Sequence, residues 1–281
     1  MRPGIQHRNV PTYDFSGQVA FVTGAGRGQG RSHAVAYAEH GADVVVTGLS
    51  RGIETSQYPL ATADDLDETV RRVEATGQRA LRLRVDVRDE AQVEAAVGRA
   101  VDEMGKIDIL ANNAGIWNVT DLVEMDERRW DELVDSNLKG AWLCSKHVGK
   151  HFIDRGEGGR IVSTASTAGL VGSKGSGHYA AAKHGVVGLT KALALELAEY
   201  DVTVNAVAPT GVNTPMIDGI LETVGEAALN AVSDASGSMN VLDEQLIDPR
   251  DVTEAYLWLA SDAARYVTGV TLPVDAGMLA K

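Results

Sequence analysis

Short apolar runs recur along the chain, each followed by turn residues and then by a longer alanine- and leucine-rich stretch. Residues 19–23, 43–47, 81–85, 107–111, 160–164, 202–207 and 270–274 have the length and apolar content of buried strands. Residues 30–40, 64–76, 90–104, 130–154 and 179–200 read as helices between them. Thr62, three residues before Asp65, is a plausible helix cap, and Asp248-Pro249 opens a last helix with a cap residue and proline in its first turn. Strands that alternate with helices predict an α/β fold: a single-domain, Rossmann-type doubly wound parallel sheet of about seven strands with helices on both faces. Residues 1–16 read as a polar N-terminal arm and 17–281 as the domain. The polar, Ala- and Gly-containing stretch 213–247 breaks the rhythm and reads as a substrate loop or lid inserted into it.

The first run ends in Thr23-Gly-Ala-Gly-Arg-Gly-Gln-Gly30. Glycines after a strand and before a helix permit a tight turn and bring backbone N–H groups and the positive helix end against a pyrophosphate. Gly24, Gly26, Arg27, Gly28, Gln29 and Gly30 are therefore candidate cofactor residues. Asp86-Val87 closes the third run and Asn112-Asn113-Ala114-Gly115 the fourth, where ligands of such sheets lie. A carboxylate at Asp86 is able to accept from an adenine amine, and the small Ala114-Gly115 pair leaves room for a ribose. An acid normally follows the second strand to bind the adenosine ribose of NAD. Here that place holds Gly48, followed by Leu49, Ser50 and Arg51. Arg27, Ser50 and Arg51 are candidates to meet a 2′-phosphate or are solvated loop residues, so the residues leave NAD and NADP both open.

Tyr179 and Lys183 stand four apart in a helical stretch, which puts them on one helix face about 6 Å apart at Cβ. A fixed ammonium beside a phenol favours phenolate and lowers its pKa, which suits Tyr179 to act as a base. Ser166 follows the fifth run and Asn137 lies in the helical stretch before it.

Composition narrows the class. Lys plus Arg is 26 and Asp plus Glu is 39, giving −13, which disfavours nucleic acid or an anionic membrane as partner. A lone Cys144 in an apolar stretch reads as a buried small hydrophobe and fits a reducing cytoplasm. No His/Cys cluster has ligand spacing, so no metal is expected. Residues 1–14 lack the apolar core of a secretory signal, and no run reaches membrane-spanning length.

Residues 23–30, 112–115, Asn137, Ser166, Tyr179, Lys183 and 205–209 together resemble the short-chain dehydrogenase/reductase family over about residues 17–277. The strings at 26–33, 58–62, 209–216 and 272–277 resemble its mycofactocin-coupled, carveol-dehydrogenase-like branch, as does the insertion at 50–62. The resemblance implies Tyr179 as general acid/base, Ser166 as donor to the substrate oxygen, Lys183 on the nicotinamide ribose, and Asn137 holding a water that links Lys183 to solvent. It also implies NAD as cofactor, held by Gly48, Leu49, Pro209, Thr210, Gly211, Val212 and Thr214 besides the residues above. A homotetramer and a mycofactocin-linked redox partner are implied as well. Gly48 departs from the branch's usual Asp. Trp117, Leu170 and Met216 are candidate walls of an apolar substrate pocket, suited to a cyclic terpenol such as carveol or a similar secondary alcohol. The rival expectations are an NADPH-dependent ketoacyl-type reductase and a dinucleotide-binding regulator without turnover.

Overall fold

The computed structural model describes residues 13–225 and 240–281. The N-terminal arm expected over 1–16 thus falls outside the described residues up to position 12, as does the stretch 226–239 of the expected insertion.

Seven parallel strands form one sheet: β1 (Val19–Val22), β2 (Asp43–Gly48), β3 (Ala80–Arg84), β4 (Ile109–Asn112), β5 (Gly159–Thr164), β6 (Val202–Pro209) and β7 (Thr271–Val274). Their order is β3-β2-β1-β4-β5-β6-β7, which reverses direction of travel between β1 and β4. Strand ends diverge at such a point and open a crevice beyond their carboxyl ends. The helices are α1 (Gly28–Glu39), α2 (Ala63–Glu74), α3 (Glu90–Met104), α4 (Glu127–Val134), α5 (Gly140–Arg155), α6 (Gly177–Leu197), α7 (Pro215–Val224) and α8 (Pro249–Ala260).

Strand periodicity divides the core between the two faces. Ala20 and Val22 of β1, Val44 and Val46 of β2 and Ile109 of β4 pack with Tyr37, Leu66 and Tyr256 from α1, α2 and α8. Their neighbours Val19, Phe21, Val45 and Leu110 point the other way, onto Val97, Leu143 and Phe152 of α3 and α5. Both faces are covered, so the strands read as continuous apolar runs rather than as alternating ones.

Helix ends follow local rules. Thr62 and Asp65 form a reciprocal capping box at α2, and Asp248 and Asp251 form another at α8, where Pro249 occupies the first turn. Each such cap is worth about 1 kcal/mol.

One departure from the sequence expectation bears on the site. The helix expected over 130–154 is not continuous. α4 gives way to a π-helical turn at Asp135–Lys139, where the Gly140 N–H bonds the Asp135 carbonyl, and only then resumes as α5. Widening the ladder by one residue lets a side chain take over a carbonyl that the α-helix would use. Asn137 does so: its Nδ2 donates to Leu133 O at 3.0 Å and to Ile116 O at 2.9 Å.

Candidate active site

A cleft with about 1160 Å³ of open space lies beyond the carboxyl ends of β1 to β5. Its floor on one side is the turn from β1 into α1. Gly24 there has φ +65°, and a Cβ on it would lie 2.9 Å from the Ala114 Cα. A Cβ on Gly30 would lie 2.2 Å from the Gly24 carbonyl. Only glycine permits the helix to start this close to the strand. The Thr23 side chain ties this turn to the end of β4 by accepting from Asn113 N and Ala114 N, both at 2.9 Å.

Of the candidate cofactor residues, Gly24, Gly26, Arg27, Gly28, Gln29, Gly30, Gly48, Leu49, Asp86, Val87, Asn113, Ala114, Gly115 and Thr214 line the cleft. Pro209, Thr210, Gly211 and Val212 do not. β6 runs on to Pro209, Val212 is buried and bridges to Ile247, and the Thr210 hydroxyl donates to Asn240 Oδ1. This stretch is bound to residues 240–247 rather than turned to the opening. Asp86 is buried and already engaged: it accepts from Arg88 at Oδ1 and from Arg88 and Arg51 at Oδ2. Burial alone would raise its pKa, but hydrogen bonds from Arg88 and Arg51 outweigh this and hold it at about 2.

At the other end of the cleft α6 delivers Tyr179 and Lys183, one turn apart, onto one wall. Lys183 is buried. Its Nζ donates to Thr164 O at the end of β5, at 2.7 Å, and lies 5.5 Å from the Tyr179 ring centre. Ser166, two residues beyond β5, shares a hydrogen bond with the Tyr179 side chain and also accepts from Ala168 N at 3.1 Å. Asn137 presents Oδ1, buried and without a protein partner. A Cβ on Gly115 would lie 2.4 Å from that oxygen and 3.7 Å from Lys183 Nζ, so the missing side chain at 115 keeps a gap between amide and amine. Tyr179, Lys183 and Asn137, distant in sequence, thus line one end of one cleft, and Ser166 stands beside Tyr179 without itself lining it.

The electrostatics differ from the sequence expectation in one respect. Burial raises the Tyr179 pKa, and the Ser166 hydrogen bond offsets only part of that. The same burial lowers Lys183 to about 8. Both groups resist their charged forms, because the wall removes water without supplying a counter-charge. Beside them, His178 is held near 4 by burial and the Arg129 charge, so it is neutral at physiological pH. Cys144, pushed up to about 12 by burial, is inert.

Of the candidate substrate residues, Met216 at the start of α7 lines the cleft. Trp117 stands behind Tyr179 with ring centres 6.4 Å apart, its Nε1 donating to Ser176 Oγ at 2.9 Å. Leu170 ends the 3-10 turn after Ser166 and is exposed, outside the cleft.

A family model described as enoyl-(acyl carrier protein) reductase matches residues 24–279. The chain belongs to the short-chain dehydrogenase/reductase family. It is 44% identical over 272 residues to (-)-trans-carveol dehydrogenase of Rhodococcus erythropolis, covering 94% of this chain and 98% of that protein. The crystal structure of carveol dehydrogenase from Mycobacterium avium in complex with NAD matches with a TM-score of 0.89 at 40% identity, over 96% of this chain and all of that one. A short-chain dehydrogenase from Mycobacterium paratuberculosis bound to NAD matches with a TM-score of 0.90 at 34% identity, over 95% of this chain and 100% of that one.

Within this short-chain dehydrogenase/reductase, several cleft residues were not singled out by the sequence. Ile53, Tyr58 and Leu60 come from the segment after β2, and Ser136 and Thr164 from the π turn and β5. The segment after β2 is a brace. The Tyr58 hydroxyl accepts from Trp117 N, Gln57 pairs with Val119 through both amide atoms, and the Thr223 hydroxyl of α7 donates to Gln57 O. The insertion at 50–62 and the string at 58–62 were its signals in the sequence, and neither named partners.

Proposed function

We propose that this protein is an NAD-dependent dehydrogenase that interconverts an apolar secondary alcohol, a cyclic terpenol such as carveol or one similar to it, with its ketone. The observation that carries the reading is the convergence of Tyr179, Lys183 and Asn137, with Ser166 beside Tyr179, at one end of a cleft whose other end is a glycine cradle. The residues present fit a dinucleotide. Side chains are missing where a Cβ would obstruct the cradle, and the buried Asn137 oxygen offers an unused acceptor. Gly24, Gly28, Gly30, Asn113 and Ala114 would hold its phosphates and riboses, and Lys183 a ribose hydroxyl. When bound, NAD supplies the hydride acceptor.

The chain's own residues manage the oxygen and its proton. In oxidation Tyr179 takes the alcohol proton at its phenolic oxygen, and in reduction it returns a proton to the carbonyl oxygen. Its raised pKa keeps it protonated at rest, ready to act as the acid in reduction; in oxidation it first gives that proton up toward solvent and then takes the alcohol proton as phenolate. Ser166 donates to the substrate oxygen and stabilises charge there as it develops. Asn137 Oδ1 holds a water between Lys183 and solvent, a path by which the proton is replaced. Met216, with Ile53, Leu60 and Ile116, supplies an apolar wall. The stretch 213–247 acts as the substrate loop, and its start, α7, rests on the brace through Gly219 against Tyr58.

The test is a panel of secondary alcohols with NAD and an artificial electron acceptor, read as reduced acceptor. Turnover of carveol-like cyclic alcohols above linear and polar ones is expected. Equal rates on all of them, or none on any, would remove the substrate reading. We also propose a cytoplasmic homotetramer with a mycofactocin-linked redox partner. Native mass spectrometry giving another subunit count would exclude the tetramer. Fractionation of cells would check the compartment, and equal turnover with and without the electron acceptor would argue against the redox partner.

A further inference from the structure

The Tyr179 end of the cleft is held from beneath by a side chain that does not reach the opening. We propose that Tyr256 is a positioning residue: its hydroxyl fixes Thr164, and Thr164 in turn fixes the Lys183 ammonium. The catalytic consequence rests on the dehydrogenase reading above.

Tyr256 comes from α8, is fully buried and does not line the cleft. Its ring stacks on His33 of α1, with centres 4.0 Å apart and planes 21° from parallel, and His33 is itself held through Nδ1 to Thr253 Oγ1 at 2.8 Å. So placed, the Tyr256 hydroxyl lies 2.6 Å from Thr164 Oγ1 at the end of β5. Thr164 Oγ1 donates to Asn113 Oδ1 at 3.4 Å. A hydroxyl has one hydrogen to give, so the shorter contact is Tyr256 donating to Thr164. Asn113 continues the series, donating from Nδ2 to Thr23 O of the glycine turn at 3.0 Å. The hydrogen bonds thus run one way, from α8 through the end of β5 to the cradle.

Lys183 hangs on the same residue. Its Nζ donates to Thr164 O at 2.7 Å, its one acceptor among the described residues. The ladder from β5 to β4 stops at Asn112 and Ser163, so on that side Thr164 is held by its side chain rather than by the sheet. Hydrogen bonding to a charged form favours that form. The aim of the Thr164 carbonyl therefore governs how firmly the buried amine keeps its proton. No neighbour of this series titrates in the same range. His33 is held neutral, near 3, by burial, and burial raises Tyr37, Tyr179 and Tyr256.

The test reads Lys183 itself. Protein isotope-labelled at the lysine Cε carbons is titrated by NMR, and the Lys183 signal is identified by its loss in Lys183→Arg. Tyr256→Phe keeps the stacked ring and removes the hydroxyl. Thr164→Val removes the other half of the bond and keeps the carbonyl. Each should move the Lys183 titration to lower pH by about 0.5 and lower kcat about fivefold, with KM within about twofold. The double variant should move it no further than the larger single change, because both remove one bond. Thr164→Ser keeps the hydroxyl and should titrate as the wild type does. If Tyr256→Phe fails to fold, the Ser and Val variants at 164 decide between them. A Lys183 titration unmoved in Thr164→Val, or shifts that add in the double variant, would overturn the proposal whatever the melting temperatures do, and would leave the dehydrogenase reading standing. A wild type without turnover on any alcohol would remove that reading, and the NMR titration would still judge the contact between Tyr256 and Thr164.

Discussion

The two ends of the cleft bury ionisable groups in opposite ways. At the Asp86 end a carboxylate is taken out of water and given four hydrogen bonds, three of them from two guanidinium groups. At the Tyr179 end an amine and a phenol are taken out of water with no carboxylate within ion-pair distance of Lys183 among the described residues. The first arrangement holds its charge through burial, with a pKa of about 2. The second pushes both groups toward neutrality. A buried charge with partners is an anchor, whereas a buried group without them has a proton that a ligand is able to move.

The contrast is tested most severely by Tyr179→Phe. It removes the proton-transfer atom and keeps the ring, and turnover is expected to fall about 10²- to 10⁴-fold with NAD affinity retained in a binding titration. Wild-type activity in this variant would instead favour a regulator that binds dinucleotide without turnover. Ser166→Ala should cost about 10²-fold in kcat, the usual loss of one oxygen-stabilising donor, with little change in KM.

Lys183→Arg sharpens the comparison through pH. Lys183 titrates near 8, below the ordinary lysine value, so its ammonium is present below that pH and lost above it. Ketone reduction by the wild type should therefore fall as pH rises through about 8. Arginine does not titrate there, so the variant, at a tenth or less of the rate by rough expectation, should lose that limb of the profile. A limb that stays in place would assign it to another group.

The smallest effect lies at the anchored end. Asp86→Asn should destabilise the fold by about 2 kcal/mol at neutral pH, read as a drop in melting temperature of roughly 4–8 °C. Its folded pKa lies below the unfolded one, so this stabilisation is present above the ordinary aspartate value of 3.8 and is lost as pH falls through about 2. The variant's melting temperature should thus converge on the wild type's in acid.

Legibility in the sequence followed the same division. The turn at 23–30 and the Tyr179–Lys183 pair were readable because each lies within one local element, where spacing alone sets geometry. Strand order and the reversal at β1 and β4 agree with the α/β pattern, since buried parallel strands advertise themselves as apolar runs. The break at 135–139 was not readable, because nothing in its composition separates a π turn from a continuous helix. Neither was the exposed position of Leu170, which follows Ser166 in sequence but leaves the cleft with its turn.

The sequence by itself determined the strand–helix alternation, the glycine cradle and the identity of the catalytic candidates, because short-range backbone sterics and helical spacing are written in neighbouring residues. Only the tertiary structure decided which groups lost water together. The direction of the Tyr179 shift, the commitment of Asp86 to Arg51 and Arg88, and the brace formed by Gln57 and Tyr58 each depend on side chains from separate elements meeting. Desolvation is a property of the assembled wall, and no one segment of the chain carries it.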